Sequence, residues 1–103
     1  MPDYETIRVE ITETGIAHII LNRPRVLNAI NSVLMREVTD VLRGLQHDSQ
    51  IRCFILSGEG RSFSAGFDLK ESAAAGDRTV SDWRRVLEAD FDFVMQFWDC
   101  PKP

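Results

Sequence analysis

FILSGEGRSFSAGFDLKE, residues 54–71, joins two unlike kinds of sequence back to back. Its first part continues an apolar run that begins at Ile51, and a run of this length bounded by Gly58 predicts a strand buried on both faces. Its second part, Gly60 to Ser72, crowds Gly, Ser, Ala and two phenylalanines ahead of a cluster of charges. Small residues let a backbone approach something closely. The partner is a ligand, a neighbouring helix or the inside of a turn, and the rest of the chain has to decide which.

Upstream, TIRVEI (residues 6–11) sets Ile7, Val9 and Ile11 at period two, the mark of a half-buried strand. TETG follows, with Gly15 free to take a left-handed turn, and IAHIIL (16–21) then reads as the more deeply buried arm of a hairpin. His18 lies within that arm and is expected to be a hydrogen-bonded core residue rather than a catalyst. Pro24 and three asparagines in NRPRVLNAIN stop the strand in a loop. From an N-cap at Ser32 or Asn31, residues 32–48 place Leu34, Val38, Val41, Leu42 and Leu45 on one helical face. Downstream, residues 73–80 read as a small-residue loop. A long helix over 82–100 is predicted to be capped by Ser81, with Trp83, Leu87, Phe91, Val94 and Trp98 as an apolar stripe expected to be core. CPKP then begins another extended stretch.

The net charge is −4 with both signs interspersed, which leaves no basic face for a nucleic-acid backbone. The opening MPDYETIRVE lacks the regions of a signal peptide and the apolar runs are too short for a bilayer, so a cytoplasmic protein is expected without membrane or nucleic-acid partners. Cys53 and Cys100 lack metal spacing and are expected to be plain thiols. SGEGRSFS has no lysine followed by Ser or Thr where a phosphate-cradling loop needs one. With 103 residues and an apolar second helix that has little to pack on, the chain is expected to be one incomplete domain or to depend on partner chains.

Two segments carry a resemblance when taken together, LNRPRVLNAIN (21–31) and FILSGEGRSFSAGFDLKE (54–71). With the helix and strand between them they resemble, over essentially the whole chain, the N-terminal half of the crotonase, or enoyl-CoA hydratase/isomerase, family. The resemblance implies an α/β fold of the ClpP/crotonase type with a ββα repeat core, residues 1–103 being the N-terminal part of a single domain. It implies an acyl-CoA thioester as substrate, no cofactor beyond the coenzyme A of that substrate, no metal, and a homo-oligomer, trimer or hexamer, in the full-length form.

By the same resemblance the backbone N–H of Phe67, after Gly66, is one donor of an oxyanion hole. Chemistry through an enolate-like or oxyanionic state needs such donors fixed in advance. Arg25, Val26, Leu27, Ser64, Ala65, Gly66, Asp68, Leu69 and Lys70 form the implied substrate- and CoA-binding set. Within it Ser64 and Ala65 lie beside the adenine, Gly66 supplies backbone conformation and Ala65 close approach. Arg25 is either a phosphate ligand or a solvated loop arginine, and Lys70 is equally ambiguous. Asp68 is expected to cap the turn or pair locally, Asn28 to hydrogen-bond within its loop, and Glu59 and Glu71 to be solvated. The family's acidic residues and second oxyanion donor come from segments beyond position 103, so these residues alone are expected to give no hydratase turnover. A non-catalytic acyl-CoA-binding or assembly module, and a generic α/β interaction domain in which SAGFDL is only a tight turn, are the alternatives.

Overall fold

The computed structural model describes residues 3–103, arranged as a three-stranded sheet with one helix packed against it and a longer helix packed on the first. The elements are β1 (Ile7–Ile11), β2 (Ile16–Leu21), α1 (Ser32–Leu45), β3 (Cys53–Gly58), α2 (Leu69–Ala74) and α3 (Val80–Asp99). Strand order is β1-β2-β3. β1 and β2 form the expected antiparallel hairpin, with Ile7 opposite Leu21, and β3 joins β2 in parallel after the α1 crossover.

The hairpin turn closes through the Gly15 N–H on the Thr12 carbonyl (3.1 Å) and the Thr12 N–H on the Ile16 carbonyl (2.9 Å). Gly15 has φ +90, and a Cβ there would stand 2.5 Å from the Gln50 carbonyl oxygen, so the turn needs glycine for both conformation and space. Burial along β1 fades toward this turn, from a buried Ile7 through a half-buried Val9 to an exposed Ile11. β2 is the deep strand, with Ala17, Ile19, Ile20 and Leu21 all buried. His18 Nε2 meets Ser57 Oγ at 2.7 Å across the β2–β3 pair, the structural role expected of it.

Asn31 caps α1, its side chain accepting from the Leu34 N–H at 2.9 Å, and Leu34, Val38, Val41 and Leu42 are buried as their spacing predicts. The helix ends at Leu45 rather than Asp48, because the Asp48 carboxylate accepts from the Gln50 N–H (2.8 Å) and turns the chain toward β3. Tyr4, Thr6 and Glu37 fasten the start of the sheet to α1. The Tyr4 hydroxyl donates to Asp40 at 2.6 Å, and Glu37 accepts from the N–H groups of Glu5 and Thr6.

β3 corrects one expectation. Its apolar run predicted burial on both faces, yet Ile55 is exposed and no residue of the strand is fully buried. Among the described residues β3 has a full strand partner on the β2 side alone; on its other edge the Phe54 N–H donates to the Pro103 carbonyl (2.8 Å). After an extended Cys100 the chain bends at Pro101 and returns to the sheet at Pro103, without the further strand that CPKP was expected to begin.

α3 corrects two more. Thr79, not Ser81, is its N-cap, in a capping box with Asp82, which places Ser81 inside the first turn. The predicted core stripe faces outward: Trp83, Leu87, Phe91, Val94 and Trp98 are all exposed, Trp98 at 81%. The buried contact comes from Phe93, edge-on to Phe97 with ring centroids 5.6 Å apart, and from Gln96, which donates to Thr39 Oγ1 of α1 at 2.9 Å. The expected loop over 73–80 is shortened at its start by α2 and at its end by Val80 of α3. Both cysteines are free and half-buried, and no helix among the described residues is long and apolar enough to cross a membrane.

Candidate functional site

The asparagine-arginine-proline loop and the glycine turn, 40 or so residues apart in sequence, are laced into one structure. Pro24 opens a single 3-10 turn, Pro24–Val26, its fixed φ suiting the first helical position. Leu27 and Asn28 then both take φ 54, a left-handed conformation that asparagine tolerates and leucine adopts only under constraint. The constraint is hydrogen bonding. Asn28 is completely buried, with Oδ1 accepting from the Arg23 N–H (2.8 Å) and Nδ2 donating to the carbonyls of Glu59 (2.9 Å) and Ser62 (3.0 Å). One side chain thereby satisfies three backbone groups of two loops.

Gly58 makes room for this. A Cβ at Gly58 would lie 2.3 Å from the Phe63 carbonyl, 2.6 Å from that of Ser62 and 2.8 Å from Asn28 Nδ2. The end of β3 therefore has to be glycine for the loop to fold back over it. Further along, the Ala65 N–H donates to the Leu27 carbonyl at 2.8 Å and the Ser64 hydroxyl to the Asn28 carbonyl at 2.8 Å.

Residues 66–68 then run beside Ile30 as an isolated parallel bridge. The Ile30 N–H donates to Gly66 C=O, and the Asp68 N–H to Ile30 C=O, each at 2.8 Å. A trans peptide points its C=O and the following N–H in opposite directions. With Gly66 C=O turned toward Ile30, the N–H of Phe67 must point away from the bridge, and no acceptor among the described residues takes it. Gly66 itself has φ +95, the conformation for which a glycine was expected. The arrangement holds one unpaired amide in a fixed direction, a group suited to meeting an oxygen that carries negative charge.

Along the two loops and the start of α2 the exposed residues include Arg25, Val26, Phe63, Ala65, Phe67, Leu69 and Lys70, while Leu27, Ser64, Gly66 and Asp68 are half-buried. All nine of the binding positions and Phe67 are thus on the two loops that Asn28 joins or in the first turn of α2. Arg25 has no ion-pair partner among the described residues, leaving its guanidinium available to an anion.

Asp68 is occupied. Its Oδ1 caps α2 by accepting from the N–H groups of Lys70 (3.0 Å) and Glu71 (3.1 Å), and its Oδ2 pairs with Arg23 at 3.1 Å. The Glu71 N–H, with the Arg23 guanidinium and the Lys70 N–H, holds this carboxyl below the usual aspartate range despite the opposing effect of burial. Glu71 is exposed, as expected, and it also accepts from the N–H and hydroxyl of Ser32 at the start of α1. Glu59 pairs with Arg8 at 2.9 Å, an exposed contact. Arg23 and Ile30 were not singled out from the sequence, and Gly58 was read only as the glycine closing a strand; the Arg23–Asp68 pair, 45 positions apart, carried no signal.

Two surface grooves lie elsewhere. One, of about 980 Å³, runs between α1 and α3 past Thr39, Arg43 and Gln96, and another, of about 470 Å³, follows Trp83, Leu87 and Phe91. Neither includes Phe67.

The sequence pattern of the "Enoyl-CoA hydratase/isomerase" family matches residues 11–103. A "Probable enoyl-CoA hydratase" of Rhodobacter capsulatus is 38% identical over 101 residues, covering 97% of this chain and 37% of that protein. The human mitochondrial Delta(3,5)-Delta(2,4)-dienoyl-CoA isomerase is 37% identical over 112 residues, covering 97% of this chain and 33% of its own length. The crystal structure of an enoyl-CoA hydratase/isomerase from Xanthobacter autotrophicus superimposes with a TM-score of 0.91 at 40% identity, covering 98% of this chain and 37% of that one. The chain spans about a third of the length of the curated relatives it matches. It has the crotonase fold of those structures over the part they share, and it belongs to the enoyl-CoA hydratase/isomerase family.

Proposed function

We propose that the chain is the acyl-CoA-binding part of an enoyl-CoA hydratase/isomerase-type enzyme, with the Phe67 N–H as one donor of an oxyanion hole. The observation that carries this reading is the outward, unpaired Phe67 amide, held by the Ile30 bridge directly after a left-handed glycine. When a nucleophile adds to a 2-enoyl thioester, or a proton leaves its carbon chain, negative charge develops on the thioester oxygen. A donor already aimed at that oxygen stabilises the charged state without reorganising, and loss of one such donor typically costs about 3 kcal/mol of activation free energy. Arg25 would meet a phosphate of the CoA, Val26 and Leu27 its apolar parts, and Ser64 and Ala65 would border the adenine. In the full-length protein the proposed reaction is hydration of a 2-enoyl-CoA. That protein is proposed to be cytoplasmic and homo-oligomeric, to use no cofactor beyond the substrate's own CoA, and to engage neither nucleic acid nor membrane.

A second reading, a non-catalytic acyl-CoA-binding or assembly module of the same fold, is equally consistent with the carboxylates of these loops. Asp68, Glu59 and Glu71 all have structural partners, so none is free to move a proton at the amide.

Both readings are tested by titrating the chain with crotonyl-CoA while following backbone amides by NMR and hydration by absorbance. The expected result is a saturable shift of the Phe67 amide with no turnover by these residues alone. An unmoved Phe67 amide at saturation rules out its role as donor. Saturable hydration by this chain would show that an acid–base pair had been overlooked within it. Hydration by the full-length protein excludes the non-catalytic reading.

A further inference from the structure

Ser64 uses both hydrogen-bonding capacities of its hydroxyl inside the turn. Its Oγ donates to the Asn28 carbonyl at 2.8 Å and accepts from the Gly66 N–H at 3.1 Å. The Asn28 carbonyl is a fixed point, because Asn28 is fully buried and tied to three backbone groups. The hydroxyl passes that fixed point on to the amide of Gly66.

Gly66 needs such a restraint. It has φ +95 with open space where a Cβ would be, nothing lying within 4 Å of that point. What holds it is the pair of peptides on either side. The preceding one is anchored through the Gly66 N–H on Ser64 Oγ, and the following one through Gly66 C=O on the Ile30 N–H. Fixing both peptide planes fixes φ and ψ between them, and the second plane is the one that carries the Phe67 N–H.

We infer that the Ser64 side chain is a positioning residue for the Phe67 amide, acting through the Gly66 N–H to set the direction of the thioester oxygen donor. The inference rests on the role proposed for Phe67 and gives the Ser64 hydroxyl a task distinct from any backbone contact with CoA.

The test compares Ser64→Ala, which removes both bonds, with Ser64→Thr, which keeps the hydroxyl. Without ligand, the Gly66 backbone couplings and the Phe67 N–H residual dipolar coupling should average in Ser64→Ala and stay near wild type in Ser64→Thr. With ligand, the ratio of affinities for acetyl-CoA and free CoA should fall about two- to tenfold in Ser64→Ala, the range that loss of one hydrogen bond predicts, and recover in Ser64→Thr. Unchanged couplings in Ser64→Ala overturn the inference. So does an equal weakening of both ligands, which would make the hydroxyl a loop brace only. If the couplings change while the wild type itself does not prefer thioester over thiol, the role of Phe67 fails and takes the functional part of the inference with it. Should Ser64→Ala not fold, Ser64→Cys replaces it, its weaker donor and acceptor giving an intermediate ratio if the inference holds and a wild-type ratio if it does not.

Discussion

The loops around Asn28 and the outer face of α3 are satisfied in opposite degrees. Asn28 is fully buried and every polar atom of its side chain has a backbone partner, whereas Trp98, Phe91 and Leu87 on α3 are more than half exposed. The difference lies in what each kind of interaction requires. A hydrogen-bonding group needs one partner in the right direction, and two short loops can supply it. An apolar stripe needs area, which only another packed element can provide. The hydrogen bonding around Asn28 is therefore complete within these residues while the aromatic face stays open, and substitutions in the two regions should behave differently.

The largest expected effect is at Asn28. Asn28→Ala leaves the Arg23 N–H and the Glu59 and Ser62 carbonyls without their partner, for a cost of about 4 kcal/mol at one to three per stranded group. Trp98→Ala, at a far larger but 81% exposed side chain, should change stability by less than about 0.5 kcal/mol. Urea unfolding of both variants measures the contrast. A Trp98 effect equal to that of Asn28 would mean that the aromatic face is covered in solution.

A sharper form of the comparison lies within α3, two positions apart. Phe93 is 8% exposed and packs with Phe97, so Phe93→Ala should cost about 3 kcal/mol through lost burial and the cavity left behind. Phe91 is 63% exposed, and Phe91→Ala should stay within about 0.5 kcal/mol. Equal thermal shifts for the two would refute the helix orientation.

These contrasts also mark what the sequence could tell. The hairpin, the α1 face and the order of the two loop motifs were legible because each depends on residues close together: Gly15 at its turn, Leu34, Val38, Val41 and Leu42 at helical spacing. The cap of α3 was legible in principle, since Thr79 and Asp82 have capping-box spacing, yet Ser81 offered a plausible cap two residues later. The face that α3 buries was not legible. Aromatic residues lie on several sides of that helix, and periodicity reports which face favours burial, not which face finds a neighbour. β3 misled in the same way, its apolar run stating a preference that its single strand neighbour only half fulfils. In the candidate site, the turn and its glycine were readable locally, but the Arg23–Asp68 pair and the Gly66–Ile30 bond join positions too distant for any pattern to signal.

The Arg23–Asp68 pair gives a smaller, pH-dependent effect on the polar side of the comparison. Asp68→Asn weakens the α2 cap and removes the ion pair, for about 1 kcal/mol at neutral pH. The folded pKa of Asp68 lies below its unfolded value, chiefly through the Glu71 N–H, so its contribution is fully present above the unfolded pKa of about 4 and is lost as pH falls through the folded value. The stability difference between wild type and Asp68→Asn should therefore shrink toward zero on acidification. A difference that persists at the lowest pH would assign the effect to geometry instead of charge.

The smallest effect tests the polar ties between the middle of α1 and the start of the sheet. Tyr4 is the only tyrosine, so alkaline absorbance titration reports this group alone. Partial burial, followed by its hydrogen bond to Asp40 and the charges of Asp40 and Glu37, pushes its pKa up to about 12. The neutral hydroxyl is favoured in the fold, so this contribution is fully present below the unfolded pKa near 10 and is lost as pH rises through about 12. Asp40→Asn should move the titration back toward 10, and Tyr4→Phe should cost only about 0.5 kcal/mol near neutral pH because the bond is exposed. Trp98→Ala should leave the Tyr4 titration where it is, since the α3 face and the Tyr4–Asp40 bond share no partner. If it moved the titration, the polar ties and the bare aromatic face would be coupled, and the separation on which the larger contrasts rest would fail.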